Sequence, residues 1–148
     1  MNRAEASRLV LDTHVLVWLM AGDARLAGPV RQAVEKASYA DGVYVSAISL
    51  WEVAMLVAKD RLRLRRDVGE WIDMVAAHPA VTVAPVAPEI AVASTRLPGE
   101  LNRDPADRII VATARTLDAA LVTADSDLLA YGAAGYVTTL SAAENVRV

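Results

Sequence analysis

The chain has 148 residues, no cysteine, two histidines and a formal net charge of −3. That length suffices for one domain with a sizeable core, and the missing cysteines exclude disulfides and thiolate metal sites. Hydrophobic residues make up 55% of the chain with no Phe among them, so Val, Leu, Ile and Ala must fill the core, while the mild negative charge neither signals nor excludes a nucleic-acid partner.

Residues 1–8 are polar and Ala-rich and are expected to fray, and 9–148 are expected to form a single domain. Leu9 to Leu11 reads as a short strand. Thr13 is placed to cap a helix from about His14 to Met20, which Ala21-Gly22-Asp23 ends. Pro29 suits an early helical position, and Val30, Val34 and Ala37 then recur at helical spacing. Asp41-Gly42 turns the chain into a strand, Val43 to Val45. Ser46 caps a helix from Ala47 to about Lys59 that is apolar on nearly every side and so predicted to be buried on most of its surface. Asp60 to Arg66 is a basic connector, followed by a helix from Val68 to Ala77. Val81 to Val86 alternates like a strand. Pro88 opens a short helix to about Arg96, and Leu97 to Asn102 is a loop. Asp104-Pro105 begins a helix that runs to about Leu117. Ala119 to Thr123 is a strand, Asp127 to Tyr131 a short helix and Tyr136 to Thr139 a last strand, while Ser141 to Val148 has no clear assignment.

Strands and helices alternate throughout. This predicts an α/β fold, a Rossmann-like, mostly parallel central sheet flanked by helices on both faces. Sites in such sheets form beyond the carboxyl ends of the strands, near a switch in strand order. Asp12 and Asp125 both follow predicted strands directly. No apolar run approaches the ~20 residues of a membrane helix and no cleavable leader is apparent. A soluble, cytoplasmic protein with no membrane partner is expected.

The acids have plain readings as well as chemical ones. Asp12 suits the positive end of a helix dipole, but with Thr13 as the cap it is free for another task. Glu52 is the one charge in its helix before Lys59, and a carboxylate in apolar surroundings needs a partner, a metal or a raised pKa. Asp104, Pro105 and Asp107 closely resemble a capping box; Asp104 as the cap would leave Asp107, one turn in, to face a site. Ser126 and Asp127 are better placed than Asp125 to cap the helix after the late strand, which leaves Asp125 at the strand end. Four carboxylates gathered at one sheet edge would repel one another. Hard divalent cations such as Mg²⁺ or Mn²⁺ relieve that repulsion through oxygen ligands. An all-oxygen site of this kind suits phosphate-ester hydrolysis, with a metal activating water.

Four stretches are distinctive as a set: Leu11-Asp12-Thr13-His14 with Trp18, Val45 to Glu52, Arg103 to Ala112, and Leu121 to Leu128. In order and spacing they resemble PIN-domain ribonucleases, specifically the VapC-like toxins of bacterial type II toxin–antitoxin systems. The resemblance spans about Leu9 to Leu140. It implies a PIN-like fold and a Mg²⁺- or Mn²⁺-dependent endoribonuclease acting on RNA. It also implies a protein that is often a homodimer and is held inactive by a small antitoxin protein. By position it implies Asp12, Glu52, Asp107 and Asp125 as the catalytic and metal-holding acids. Asp104 matches an acid common just before the third, and Thr123 a hydroxyl-bearing position beside the fourth; Asp127 is a further auxiliary candidate.

Other residues keep two readings. Lys59, Arg61, Arg63, Arg65 and Arg66 form either a solvated connector or a contact for RNA phosphates or an acidic partner. Arg65 and Arg66, with Arg103 and Arg108 flanking the third acid, are the candidate substrate contacts. Trp18 reads as core and His14 as a polar residue at the site edge. The main alternative is a catalytically inactive module of the same fold that docks a partner protein or RNA. A phospho-acceptor receiver domain would need a late Lys, and none follows Lys59. A nucleotide-cofactor enzyme is disfavoured by the lack of either glycine-rich phosphate loop.

Overall fold

A computed structural model describes residues 7–143. Most of the stretch expected to fray, and the end of the unassigned tail, lie outside the described residues. Strands β1 (Arg8–Leu11), β2 (Gly42–Ser46), β3 (Thr82–Ala84), β4 (Ala120–Thr123) and β5 (Thr139–Ser141) form one sheet in the order β3-β2-β1-β4-β5. Every pairing is parallel. The helices are α1 (Thr13–Ala21), α2 (Gly28–Ser38), α3 (Ala47–Ala58), α4 (Val68–Ala77), α5 (Pro88–Ser94), α6 (Pro105–Thr116) and α7 (Ser126–Ala133).

Side chains alternate across the sheet, and both faces are covered. Leu9, Leu11, Val43, Val45 and Val122 pack on one side with Val15, Leu16, Val34, Val53 and Val75 from α1 to α4. Val10 and Leu121 pack on the other with Ile110, Val111, Leu128 and Tyr131 from α6 and α7. Burial on both faces is why these strands are apolar runs rather than alternating ones. No helix among the described residues is long and apolar enough to cross a membrane.

The strand order reverses at β1, with β2 and β3 to one side and β4 and β5 to the other. The crevice beyond the carboxyl ends of β1 and β4 is therefore the switch point of the sheet. Leu11 is in register with both Val45 and Val122. The next residue of each strand, Asp12, Ser46 and Thr123, thus lies at one level along that edge.

Several element ends differ from expectation. Arg8, expected to fray, opens β1, and its Nη1 donates to the Leu117 carbonyl at 2.6 Å. β3 is only three residues long; it is an edge strand, and Pro85 beyond it has no N–H for a ladder. α5 stops at Ser94. β5 lies at Thr139–Ser141, later than expected. Gly135 takes φ +93°, Tyr136 packs on Tyr131 with ring centroids 5.0 Å apart, and Val137 enters the α6–α7 core. The chain joins the ladder only when Thr139 comes beside Leu121. α3 is less buried than its composition predicts: Ser49 and Val53 are buried, but Trp51 is 57% exposed. A helix on the outer layer of an α/β fold buries one stripe, whatever the rest of its surface carries.

Candidate active site

Asp12 follows β1 directly and is 4% exposed. Thr13 is not the cap of α1. Asp12 itself holds the N-cap position, and its Oδ1 accepts from the Thr13 amide at 2.8 Å. Thr13 is the first helical residue, and its hydroxyl donates to Ser49 Oγ at 2.9 Å, tying α1 to α3. Capping uses one carboxylate oxygen. The other, Oδ2, accepts from Thr123 Oγ1 at 2.7 Å. The same hydroxyl accepts from the Asp125 amide at 3.0 Å, so one proton and one lone pair couple the ends of β1 and β4. His14 Nε2 accepts from the Ala124 amide at 2.9 Å. That bond leaves the neutral ring's proton on Nδ1, which sits 3.5 Å from Asp12 Oδ2.

On α6 the two acids divide the work. Asp104 is the N-cap, its Oδ1 accepting from the Asp107 amide at 3.0 Å, with Pro105 at the first helical position. The Asp107 carboxylate is left free of that task. Asn102 sets both acids: its Oδ1 accepts from the Asp104 amide at 2.9 Å, and its Nδ2 donates to Asp107 Oδ2 at 3.1 Å. Burial pushes the Asp107 carboxyl up to about 7 against the Asn102 hydrogen bond, and the charges of Asp12, Asp104 and Asp125 add to the rise. Glu52, half-buried on α3, is also raised, first by burial and then by Asp12 and Asp104, while His14 counters it. Asp125, not Ser126 or Asp127, caps α7: its Oδ1 accepts from the Asp127 amide at 2.8 Å and the Leu128 amide at 3.1 Å. Only Ala124 separates the end of β4 from this cap, so the residue that caps α7 also lies at the sheet edge.

Asp12, Glu52, Asp104, Asp107 and Asp125 line one cavity of about 420 Å³ with His14, Trp18 and Arg25. Glu52 and Asp107 are both raised first by burial and then by the charges of Asp12 and Asp104, which both of them face. Among the described residues, however, no three of these groups converge tightly enough to close round one ion. The donor set is all oxygen and carries excess negative charge, which fits a hard divalent cation that keeps several of its own waters. It does not fit a soft metal, for which sulfur ligands are missing.

Five other candidates lie elsewhere. Asp127 is exposed and lines a separate surface hollow with Glu100 and Tyr131. Arg108 does not meet a carboxylate: its Nε donates to the Ser94 carbonyl at 3.0 Å and its Nη1 to the Leu101 and Asn102 carbonyls at 3.3 and 3.2 Å. It pins the 101–102 loop, and so Asn102, against α6. Arg65 and Arg66 line a neighbouring apolar cleft with Met20, Trp71 and Met74, which shares Val17 with the acidic cavity. Arg103 is exposed. Sequence reasoning passed over Asn102 and Arg25. Asn102 read as the end of a loop, one residue before the Arg103 to Ala112 stretch, and nothing local marks Arg25 as close to the acids.

The PIN domain family matches residues 9–134 of the chain. Ribonuclease VapC22 of Mycobacterium tuberculosis is 38% identical over 120 residues, covering 81% of this chain and 88% of that protein. Among solved structures, VapBC2 from Rickettsia felis bound to a promoter DNA fragment superposes with a TM-score of 0.67 at 15% identity. That alignment covers 90% of this chain and 98% of the other. A toxin–antitoxin complex from Klebsiella pneumoniae superposes at 0.62 with 22% identity, covering 93% and 99%. At these identities the structures speak for the fold, and the sequence matches speak for descent. The chain belongs to the PIN-domain family.

Proposed function

We propose that the protein is an endoribonuclease that hydrolyses RNA phosphodiesters with a bound Mg²⁺ or Mn²⁺, and that it is the toxin of a toxin–antitoxin pair. The observation that carries this reading is the crowding of Asp12, Glu52, Asp107 and Asp125 around one cavity at the sheet's switch point. A relative named as a ribonuclease at 38% identity supports it. The fold neighbours described as VapBC2 and as a toxin–antitoxin complex support a small antitoxin partner. A cytoplasmic homodimer is part of the same proposal.

Those four acids would hold the ion, in part through water. When bound, the ion supplies an activated water and stabilises charge on the phosphorus centre. The chain's own residues fix the acids beforehand. Thr123 and the Thr13 amide hold both oxygens of Asp12, and Asn102 orients Asp107. Burial and the neighbouring acids raise the metal-free Asp107 carboxyl to about 7, so a bound cation would favour its ionised form and would be held more tightly as pH rises. Exposed Arg103, and Arg65 and Arg66 in the adjoining cleft, are proposed to meet the RNA backbone beyond the cavity.

One observation favours a second reading, a non-catalytic docking module: no three acids converge on one point among the described residues. Purified protein incubated with total bacterial RNA separates the two. Cleavage is expected with Mg²⁺ or Mn²⁺ and should stop with chelator, Asp12→Asn or Asp107→Asn. Cleavage that survives all three treatments sinks the metal mechanism. No cleavage under any condition, with a stable partner complex, supports the docking module.

A further inference from the structure

The acidic cavity has one cation in its wall that the acids do not explain. Arg25 is the one Lys or Arg among the described residues that line it. It lies in the turn between α1 and α2, outside the basic segment 59–66 and outside the motifs that carry the acids. RNA is a polyanion, and a cavity of five carboxylates repels it wherever bound cations do not reach. A fixed positive charge at the rim answers that problem.

Arg25 is held in place from two sides. Asp23 grips it side-on, Oδ1 and Oδ2 accepting from Nε at 3.2 Å each and Oδ2 from Nη2 at 2.7 Å. Its guanidinium carbon lies 5.1 Å from the centre of the Trp18 ring. Asp23 is itself anchored: its amide donates to the Trp18 carbonyl at 2.9 Å, and the Arg31 guanidinium donates to its carbonyl. The hydrogen bond from Arg25 lowers the Asp23 carboxyl to about 2, so the pair stays ionised across the working pH range. Trp18 in turn meets the His14 ring edge-on at 5.1 Å, and His14 stands 3.5 Å from Asp12. His14, Trp18 and Arg25 thus form a wall that climbs from the primary acid to the rim.

Stability alone is a poor reason for this arrangement. The Arg25 side chain remains 68% exposed, and ion pairs at such exposure add little. Nη1 meets no acceptor among the described residues, so one edge of the fork is open. A planar fork oriented by Asp23 and Trp18, with one edge free, is suited to a phosphate oxygen.

We infer that Arg25 is a substrate-binding residue that holds the RNA phosphate flanking the one cleaved. The scissile phosphate would lie with the acids and the cation they would hold; Arg25, at the exposed end of the wall, takes the next one along the strand. Asp23 and Trp18 are its positioning residues. The assignment rests on the endoribonuclease reading.

The test is the rate of cleavage of total bacterial RNA at sub-saturating concentration, with Mg²⁺, across a series of KCl concentrations. Wild type, Arg25→Gln, Arg25→Lys and Arg96→Gln are compared; Arg96 is an exposed arginine away from the acidic cavity and serves as a charge-matched control. Arg25→Gln is expected to lower kcat/KM about tenfold, as loss of a charged hydrogen bond does. It should also flatten the slope of log rate against log salt by about 0.7, one single-strand phosphate contact. Arg25→Lys should restore the slope and part of the rate, and Arg96→Gln should match wild type in both. Equal melting temperatures check that each variant is folded. A slope unchanged in Arg25→Gln overturns the inference whether or not the rate falls, because a structural role lowers the rate without changing ion release. A wild type that cleaves nothing overturns the nuclease reading and this assignment with it, whereas a cleaving wild type with an indifferent Arg25→Gln overturns this assignment alone.

Discussion

Thr123 donates to Asp12 Oδ2 and accepts from the Asp125 amide, in a site where Thr123 is fully buried and Asp12 nearly so. Thr123→Val keeps the volume and removes both bonds. It is expected to destabilise the fold by about 1–3 kcal/mol, the cost of an unsatisfied buried acceptor, and to reduce cleavage by loosening Asp12. Denaturant melts and RNA cleavage check this, with Thr123→Ser as the rescue; a Val variant as active and stable as wild type would show that the hydroxyl is dispensable. Asp107 governs the pH response. Its folded-state pKa of about 7 lies above the ordinary 3.8, so between those values the folded chain binds more protons than the unfolded one. Stability conferred by the protonated carboxyl is present at low pH and lost as pH rises toward 7. The metal-free protein is expected to melt at a lower temperature at pH 8 than at pH 5, and Asp107→Asn should flatten that difference. A metal-free melting temperature that rises over the same interval would contradict the assignment.

At the level of elements, α6 starts with a cap whose residue also lines the cavity. Asp104→Ala removes the bond to the Asp107 amide and is expected to cost about 1 kcal/mol, whereas Asp104→Ser keeps a capping oxygen and should melt close to wild type. Comparing cleavage by the two variants separates capping from charge: if Asp104 only caps, the Ser variant cuts RNA as wild type does. The α7–β5 contact makes the opposite point about local rules. Gly132 lies inside α7, where Ala is normally the better helix former. A Cβ there would stand 2.5 Å from both branches of the Thr139 side chain, itself buried on β5. Gly132→Ala is therefore expected to destabilise by about 1–3 kcal/mol through overpacking. A chemical-denaturation midpoint at or above wild type would refute it.

For the molecule as a whole, the excess charge of the cavity links metal to stability. Mg²⁺ or Mn²⁺ is expected to raise the melting temperature more at pH 8 than at pH 5, because only ionised acids bind the ion. Calorimetry at the two pH values measures this, and an equal shift in an Asp12→Asn, Asp107→Asn double variant would place the ion elsewhere. Much of the fold was legible in the sequence because its cues are local. Apolar runs such as Leu9 to Leu11, the Ser46 cap and the Asp104-Pro105 helix start sit within a few residues of what they specify, and they imply alternating strands and helices unaided. Three of the acids also stood out, Asp12 and Asp125 at strand ends and Glu52 in an apolar helix, while Asp107 read as part of a capping box. What the sequence could not decide were the partners. Whether Asp12 or Thr13 caps α1 depends on Ser49, which takes the Thr13 hydroxyl, and on Thr123, which is 111 residues from Asp12. Arg108 looks like a phosphate ligand until three carbonyls meet it, Arg25 looks like a turn residue until Trp18 comes under it, and β5 starts late because Tyr131 holds Tyr136. Local chemistry determined which groups the chain would offer. Only the closing of the sheet, which brings distant residues within hydrogen-bond range, decided what each of them does.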